Sequence, residues 1–353
     1  MIEEETKIYG AIDIFKFIGS FFVIMIHIAP FNYDFKYAKI LNMLIQNYLS
    51  RVVVPFFFVT AGYFLFYKME KDKINFIKIK KYFFHILKLY FIWLLVYLPY
   101  SLFSLKDVKH RLLIYIRNIV FAGGFDHLWY LSALCFVVAL IYILLYLKIP
   151  IKKILFVSLI FYFMGLLTQS WFAVILPLKN YNPKIWQLLI VLKSIIYSAR
   201  DGLFFGFLFF CIGMIIALSG YQGKSKKNVV CLIFSMIMFL TEIILLKKYG
   251  NIRERDMYLC LVPVSVFLFC LLKNINMKKR KVYVYLRYAS VIIYCSQRII
   301  QFGVENVIKI DGGNGIFSKV FVMVCILAVI FSTVILYLAE YKKVPWLYVL
   351  YRP

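Results

Sequence analysis

The sequence predicts an all-α protein, a polytopic membrane helix bundle of about ten transmembrane helices. Of its 353 residues, 64% are hydrophobic and 20% are aromatic, whereas an ordinary globular chain is only about half apolar. Apolar runs long enough to cross a hydrocarbon core of about 30 Å recur along the whole chain, separated by short Lys-rich or polar segments. No room remains for a separate soluble domain, so residues 1–353 are predicted to form a single integral membrane domain.

The ten spans place both termini on the same side of the membrane. The loops "KMEKDKINFIKIKK", "KIPIKK", "GKSKKN" and "KNINMKKRK" are strongly basic and alternate with longer, less basic loops. Because basic loops concentrate on the cytoplasmic side, we expect residues 1–11 and 341–353 to be cytoplasmic in a multi-pass protein of the cell membrane. The predicted spans are Ile12–Phe31, Tyr48–Tyr67, Tyr82–Phe103, Leu128–Leu147, Ile154–Leu167, Leu203–Leu218, Val229–Leu246, Met257–Leu272, Val282–Phe302 and Phe317–Leu338.

The net charge of +26 does not by itself indicate nucleic acid. The Lys and Arg residues are spread over many short loops rather than gathered on one face with aromatic side chains. We therefore expect the lipid bilayer to be their partner, and no nucleic acid. The seven cysteines occur singly, without metal-ligand spacing, so no metal is expected. The acidic segment "MIEEETKIYGAI" lacks a small-residue cleavage site, so the first span is expected to stay in the mature protein.

Two outer segments mix apolar residues with Trp, Tyr and Lys and do not form a clean span. They are "SLKDVKHRLLIYIRNIVFAGGFD" and "TQSWFAVILPLKNYNPKIWQLLIVLKSIIYSA". One interpretation is an interfacial or re-entrant cover over an outward-facing cavity. The other is a pair of ordinary amphipathic loops lying on the headgroups.

Polar residues share one face of the first span. Lys16 and His27 are eleven residues apart, which on a helix at about 100° per residue leaves them about 20° from eclipsed. Asp13 precedes Lys16 by three residues and Ser20 follows it by four, so all four side chains form one stripe among Phe, Ile and Val. A charge in a span costs about 3 kcal/mol and persists mainly where it faces a bundle interior or a wet cavity. The stripe therefore predicts a functional site.

The residue types in the stripe suit proton and acyl transfer. A neutral imidazole can take a proton from a hydroxyl, and Lys16 can hold a phosphate or carboxylate while Asp13 keeps the ammonium charged and oriented. A structural interpretation stays open. In it, Asp13 and Lys16 pair near the cytoplasmic headgroups, and His27 hydrogen-bonds a carbonyl at the helix end.

The second span combines an Arg with a Pro. Pro55 lacks an amide N–H, so the carbonyl of Arg51 loses its helical donor and a kink is expected there. Arg51 would line the outer end of the cavity and hold a carboxylate or phosphate, or it would snorkel to the outer headgroups. Gly62, next to Ala61, is expected to permit close helix packing.

Further charged residues near span ends each allow a structural and a functional interpretation. In one interpretation Asp126 caps the fourth span and His127 lies in the aromatic belt. In the other, both residues belong to the functional site. Arg200 and Asp201 either neutralise each other or leave Arg200 facing an acceptor. Lys88, Arg287 and Glu305 are expected to snorkel or to be paired. His85 and His110 are expected to be solvated.

Several of these patterns resemble a known family. A Lys followed by ten residues and His, after a "D-x-x-K" step, is similar to the signature of the acyltransferase family 3 membrane proteins. "RVVVPFFFVTAGYF" from Arg51, "DHLWYLSAL" from Asp126 and "SARDGLFFGFLFFCIGMIIA" from Ser198 resemble later patterns of that family, in the family's order. The resemblance covers most of the chain and implies the ten-span plan. It also implies acyl transfer, often of acetyl from a cytoplasmic acyl-CoA, to hydroxyls of cell-surface carbohydrates and related acceptors.

The resemblance implies a donor, an acceptor and residue roles. Acyl-CoA (acetyl-CoA) would be the donor substrate, and a carbohydrate or lipid-linked envelope molecule would be the acceptor. His27 would be the catalytic base or acyl relay, supported by Lys16 and Asp13. The residues expected to bind substrate are Arg51, Ser20, His127, Arg200 and Tyr294.

One late pattern departs from the family, which usually follows a Tyr with a His-Pro step. Here "SVIIYCSQRIIQF" keeps Tyr294 and has Gln297 and Arg298 in that place. Gln cannot act as a base, and Arg298 adds a permanent charge. The "RVVVPFFF" and "HLWY" stretches also resemble the membrane half of vancomycin-resistance serine racemases. A transporter-like module for a small polar metabolite such as serine therefore stays open, as does a structural partner in an envelope-polymer synthesis complex.

Overall fold

A computed structural model describes residues 9–31, 37–71, 73–104, 115–116, 118–119, 123–184, 186–187, 201–221, 223, 225–250, 255–307, 318–342 and 344–352. Within these residues the protein is all-α, without β-strands, and it contains ten helices of 13 or more residues. They are α1 Gly10–Ile28, α2 Val53–Phe66, α3 Phe76–Ser104, α4 Trp129–Tyr146, α5 Ile151–Thr168, α6 Phe207–Ser219, α7 Ser225–Tyr249, α8 Leu261–Asn274, α9 Lys281–Val307 and α10 Lys319–Glu340.

Each predicted span coincides with one of these helices, so the predicted membrane helix bundle is confirmed. In the described residues, eight helical stretches are long and apolar enough to cross a membrane; α8 is apolar but shorter, and α9 is long but more polar. The second stretch differs most from its prediction, because helical structure begins at Ala38 rather than at Tyr48.

The outward faces of α7 and α10 are apolar, as expected of helices in contact with lipid. On α10 the exposed side chains include Val322, Ile326, Ile330 and Val334. Their spacing of four residues places them on one face. The matching exposed residues of α7 are Val230, Ile233, Phe234, Ile237 and Ile244.

The described residues divide into two compact units, of which the first contains residues up to Val53 and from Phe269 onward. It holds α1, α9 and α10, with α1 packed along α9 and α9 packed along α10. Ile24 of α1, Ile293 of α9 and Val324 of α10 belong to one buried apolar cluster. The site residues of α1 are therefore fixed by neighbours that come late in the chain.

The C-terminal 3₁₀ turn Pro345–Leu350 packs against α10 in the same unit. Leu347 and Tyr351 join a second buried cluster with Ala289 of α9. Burial raises the pKa of Tyr351, and the nearby Glu340 carboxylate adds to this. This turn therefore packs the C-terminal residues against the N-terminal part of α9.

The second unit extends from Val54 to Leu268. In it, α2 and α6 approach so closely that a Cβ on Gly62 would collide with the carbonyl of Phe210, and a Cβ on Gly213 with the carbonyl of Val59. The prediction that Gly62 permits close helix packing is confirmed.

A buried carboxylate that the sequence analysis did not single out joins α7 to the start of α8. Glu242 accepts hydrogen bonds from the backbone N–H of Leu259 (2.8 Å) and Cys260 (2.9 Å) and from Trp171 Nε1 (2.8 Å). These donors include amides that precede α8 and have no partner within the helix. Glu242 therefore has a structural role as a cap, which explains an acid inside an apolar span.

Candidate active site

The polar stripe of α1 is present in the structure. Asp13 and Ser20 are buried, and Lys16 and His27 are half-buried. The Ser20 hydroxyl donates to the carbonyl of Phe17 (2.7 Å), so part of its hydrogen-bonding capacity serves the helix itself.

Asp13 is held by an arginine of α9. Arg287 Nε donates to Asp13 Oδ1 and Arg287 Nη2 to Asp13 Oδ2, both at 2.8 Å, which is the bidentate geometry of a strong ion pair. Lys16 interacts electrostatically with both partners. We call Asp13, Lys16 and Arg287 the Asp13 cluster. Arg287 is thus paired, one of the two roles expected of it, and the bidentate partner of Asp13 is Arg287 rather than Lys16.

α1 and α9 run in the same direction. At their first turns Gly10 lies against the ring of Tyr283, and one turn further Asp13 contacts Arg287. At about 100° per residue, Arg298 lies about 20° from Arg287 around α9. Tyr294, Gln301 and Glu305 lie within about 40° of Arg287 around the same helix. α9 therefore carries its own polar stripe, and the Asp13–Arg287 pair turns this stripe toward α1.

The far part of the α9 stripe is a chain of hydrogen bonds. Arg298 Nη1 donates to Gln301 Oε1 (2.7 Å), and Gln301 Nε2 donates to Glu305 Oε1 (2.7 Å). The Arg298 guanidinium carbon also lies 5.3 Å from the centre of the Phe302 ring. We call Arg298, Gln301 and Glu305 the Arg298 cluster.

The Arg298 cluster lies at nearly the same height as His27. Arg298 follows Arg287 by eleven residues and His27 follows Asp13 by fourteen. With a rise of about 1.5 Å per residue on parallel helices, the Cα atoms of Arg298 and His27 differ in height by about one helical turn. By helix geometry, ionisable residues therefore occupy two levels along α1 and α9, with the Asp13 cluster at one level and His27 and Arg298 at the other.

Tyr294 and Gln297 lie between these levels and are buried. Gln297 Nε2 donates to the carbonyl of Tyr294 (3.1 Å). Gln297 Oε1 is buried and accepts no hydrogen bond from the residues that the structure describes. The residue that stands where the family has an imidazole thus offers a hydrogen-bond acceptor.

Arg51 belongs to a segment that packs against α1. Asn42 Nδ2 donates to the carbonyl of Phe31 (3.0 Å) and Gln46 Nε2 to that of Ile26 (3.1 Å), so this segment runs antiparallel to α1. A π-helical turn, Ile45–Leu49, and a 3₁₀ turn, Ser50–Val52, precede α2, and both turns contact α1. The backbone departs from α-helical geometry just before Pro55, where the sequence predicts a disturbance.

The remaining predicted site residues lie elsewhere. His127 belongs to the second unit, in the 3₁₀ turn Asp126–Leu128, where it is buried with its ring 5.0 Å from that of Tyr97 and 5.9 Å from that of Phe125. Arg200 lies outside the described residues, as does most of the first outer segment. Six of the eight predicted site residues, all but these two, lie in the first unit.

Sequence reasoning missed the partners on α9. Arg287 and Glu305 are expected from the sequence to snorkel or to be paired, but no partner is named for either, and Gln301 is not among the predicted site residues. The signal was available, because Arg287, Tyr294, Arg298, Gln301 and Glu305 recur at helical spacing within one predicted span. Among the described residues, no group of three or more His, Cys, Asp or Glu side chains is placed to hold a metal ion.

The fold and this site define a multi-pass α-helical membrane protein with an ionisable centre at an interface of its first helix. The sequence profile described as "Acyltransferase domain", that of acyltransferase family 3, matches residues 9–339. The chain belongs to this acyltransferase family.

Curated relatives carry other names. An amino-acid racemase of Enterococcus faecalis is 30% identical over 272 residues, covering 75% of this chain and 37% of the relative. A serine/alanine racemase of Enterococcus gallinarum is 30% identical over 273 residues, covering 74% of this chain and 36% of the relative. The chain thus spans little more than a third of the length of these relatives. No solved structure gives a significant match.

Proposed function

We propose that the protein transfers an acyl group, acetyl in the simplest case, from an acyl-CoA to a hydroxyl of an envelope carbohydrate or related lipid-linked acceptor. The observation that carries this proposal is the α1 stripe, which the bidentate Asp13–Arg287 pair holds against α9. Membership of an acyltransferase family supports the reaction type.

His27 supplies the base of the reaction. Its imidazole accepts the proton of the acceptor hydroxyl while the oxygen attacks the thioester carbonyl. The carbon–sulfur bond then breaks, and the imidazolium returns the proton to the departing thiolate, so the products are an ester and free CoA. In the relay version of the same transfer, the imidazole itself carries the acyl group before the hydroxyl attacks.

The donor is proposed to enter from the cytoplasm, at the end where α9 begins. Lys278, Lys279 and Arg280 are exposed just before that helix and Lys281 is exposed at its start. The Asp13 cluster lies about two turns further along the helix. Cations at both positions suit the phosphates of CoA. Arg51, Ser20, Tyr294, His127 and Arg200 remain candidates for acceptor binding.

The test uses purified protein in liposomes supplied with radiolabelled acetyl-CoA and a panel of carbohydrate acceptors. Label should move to an acceptor or to the protein. His27→Ala should abolish this transfer, and the matched control His85→Ala, at an exposed histidine, should not. Transfer that survives in His27→Ala would remove His27 from the mechanism.

A second candidate function is favoured by the replacement of the imidazole at Gln297 and by relatives named serine/alanine racemase. In this hypothesis the same interface binds a small polar metabolite such as serine for transport. Uptake of labelled serine into the liposomes without any acyl-CoA would favour it over acyl transfer.

A further inference from the structure

We propose that the second unit binds one acyl chain of a membrane phospholipid in a pocket between α5, α7 and the start of α8, with the ester end of that chain at the turn that follows α5. The pocket has a volume of about 640 Å³, within the range of about 300–1,000 Å³ that is usual for small-molecule sites. Its walls include Leu159, Phe163 and Leu166 of α5, Met238 of α7 and Val262 of α8. This inference does not depend on acyl transfer.

The walls of the pocket favour a hydrocarbon. Among the described residues that form them, the strong hydrogen-bond donors already have partners. The Tyr162 hydroxyl donates to the carbonyl of Tyr258 (2.6 Å), and the amides of Leu259 and Cys260 donate to Glu242. A sugar, an amino acid or CoA would therefore lose its own hydrogen bonds on entering this pocket, which costs free energy.

The pocket continues the surface that faces lipid. Leu159 and Phe163 of α5, Met238 of α7 and Leu259 are exposed at its mouth. Met238 follows Phe234, a residue of the exposed apolar face of α7, by four residues and so lies on the same side of that helix. Water in an apolar depression at this depth would lack hydrogen-bonding partners. A lipid chain that enters from the adjoining bilayer therefore fills the pocket.

One end of the pocket is joined to the turn that follows α5. The carbonyl of Leu166, a wall residue, accepts from the backbone N–H of Gln169 (3.1 Å) and of Trp171 (3.0 Å). Trp171 Nε1 donates to Glu242 (2.8 Å), the same carboxylate that accepts from the amide of Leu259 (2.8 Å). Two walls of the pocket are thus bonded to this turn.

Gln169 and Ser170 in this turn supply donors for the ester end of the lipid. Both residues are buried, and the side-chain amide of Gln169 and the hydroxyl of Ser170 have no hydrogen-bond partner among the described residues. Buried polar groups of this kind normally have a partner. The ester carbonyl of a phospholipid can accept from either donor, whereas a polyprenyl phosphate has no carbonyl. With the predicted topology, this end of α5 faces the outer side, so the lipid belongs to the outer leaflet.

Photo-crosslinking tests the pocket. The full chain is reconstituted in nanodiscs of phosphatidylglycerol with a small fraction of the same lipid carrying a diazirine in one acyl chain, and peptide mass spectrometry locates the adducts. Residues 159–166 and 259–263 should carry about fivefold more label per exposed residue than the exposed face of α10, which corresponds to a preference of roughly 1 kcal/mol. Equal labelling of the two surfaces would overturn the inference.

Variants that fill the pocket assign this labelling. Met238→Trp should reduce the adducts on residues 159–166 and 259–263 about fivefold, and Ile237→Trp, at an exposed residue of α7 outside the pocket, is the matched control and should label like the wild type. Met164→Trp fills the pocket from α5 and serves if Met238→Trp does not fold, as judged by thermal unfolding. Labelling that persists in the folded variant would contradict the proposal.

Competition between lipids tests the ester end. Unlabelled diester phosphatidylglycerol should displace the crosslinking lipid about fivefold better than the diether lipid with the same chains, since one hydrogen bond contributes about 1 kcal/mol. Gln169→Leu/Ser170→Ala should remove this difference, and Gln187→Leu, at an exposed glutamine, should keep it. Equal displacement in the wild type, a difference that survives in the double variant, or stronger displacement by polyprenyl phosphate would each overturn the assignment of a phospholipid ester.

Discussion

At the residue scale, the Asp13–Arg287 pair is the contact on which the geometry of the site depends. Arg287→Ala removes the bidentate partner of the buried Asp13 carboxylate and should destabilise the protein by about 3 kcal/mol. Asp13→Ala leaves the half-buried Arg287 and should cost less. The double variant Asp13→Leu/Arg287→Met should lose much less stability than the two single variants lose together. Thermal unfolding in one detergent measures all three.

The exposed pair of Arg352 and Glu340 provides the control for this prediction. Glu340→Ala should cost less than about 1 kcal/mol, because an exposed ion pair gains little over solvation. Equal losses at both pairs would contradict the importance given to the buried one.

Lys16 is expected to contribute to binding of the acyl-CoA donor rather than to the acyl-transfer step. Lys16→Ala should raise the KM for acetyl-CoA about tenfold with a smaller change in kcat, since it removes a phosphate contact made before and during the reaction. Lys247→Ala, at an exposed lysine in the last turn of α7, is the control and should leave KM unchanged. An unchanged KM in Lys16→Ala would exclude phosphate binding by this residue.

At the element scale, the packing of α2 on α6 depends on two glycines. Gly62→Ala and Gly213→Ala would each push a methyl group into a backbone carbonyl, and overpacking of this kind costs about 1–3 kcal/mol. Gly303→Ala on α9 meets nothing within 4 Å and should be neutral or stabilising by up to about 1 kcal/mol. Thermal unfolding should therefore show a lower melting temperature for Gly62→Ala and Gly213→Ala and no loss for Gly303→Ala. Unchanged stability of the first two variants would refute the close approach of α2 and α6.

The positions of the helices along the chain were largely predictable from the sequence, but which helices pack against each other was not. Apolar length located all ten helices, because the bilayer fixes the length of a span. The stripe of α1 followed from spacing within one helix. Asp13 and Arg287, however, are 274 residues apart, and no periodicity within a helix indicates which other helix lies beside it. Glu242 was missed for the same reason, since its donors belong to later residues.

At the scale of the whole molecule, ten spans and the alternation of basic loops predict that both termini are cytoplasmic. A green fluorescent protein fused after residue 353 should fluoresce, and alkaline phosphatase fused at the same point should be inactive. Fusions after residue 250, between α7 and α8, should give the reverse result. An active phosphatase at the C-terminus would contradict this topology and the proposed entry of the donor.

The Asp13–Arg287 pair also constrains how the protein is made. The guanidinium is synthesised 274 residues after its carboxylate, which at 5–20 residues per second is a delay of roughly 15–55 s. During this interval Asp13 has Lys16 of its own helix beside it but lacks its bidentate partner. Nascent chains should therefore depend on an insertase or membrane chaperone that shelters the first helix until the ninth has left the ribosome.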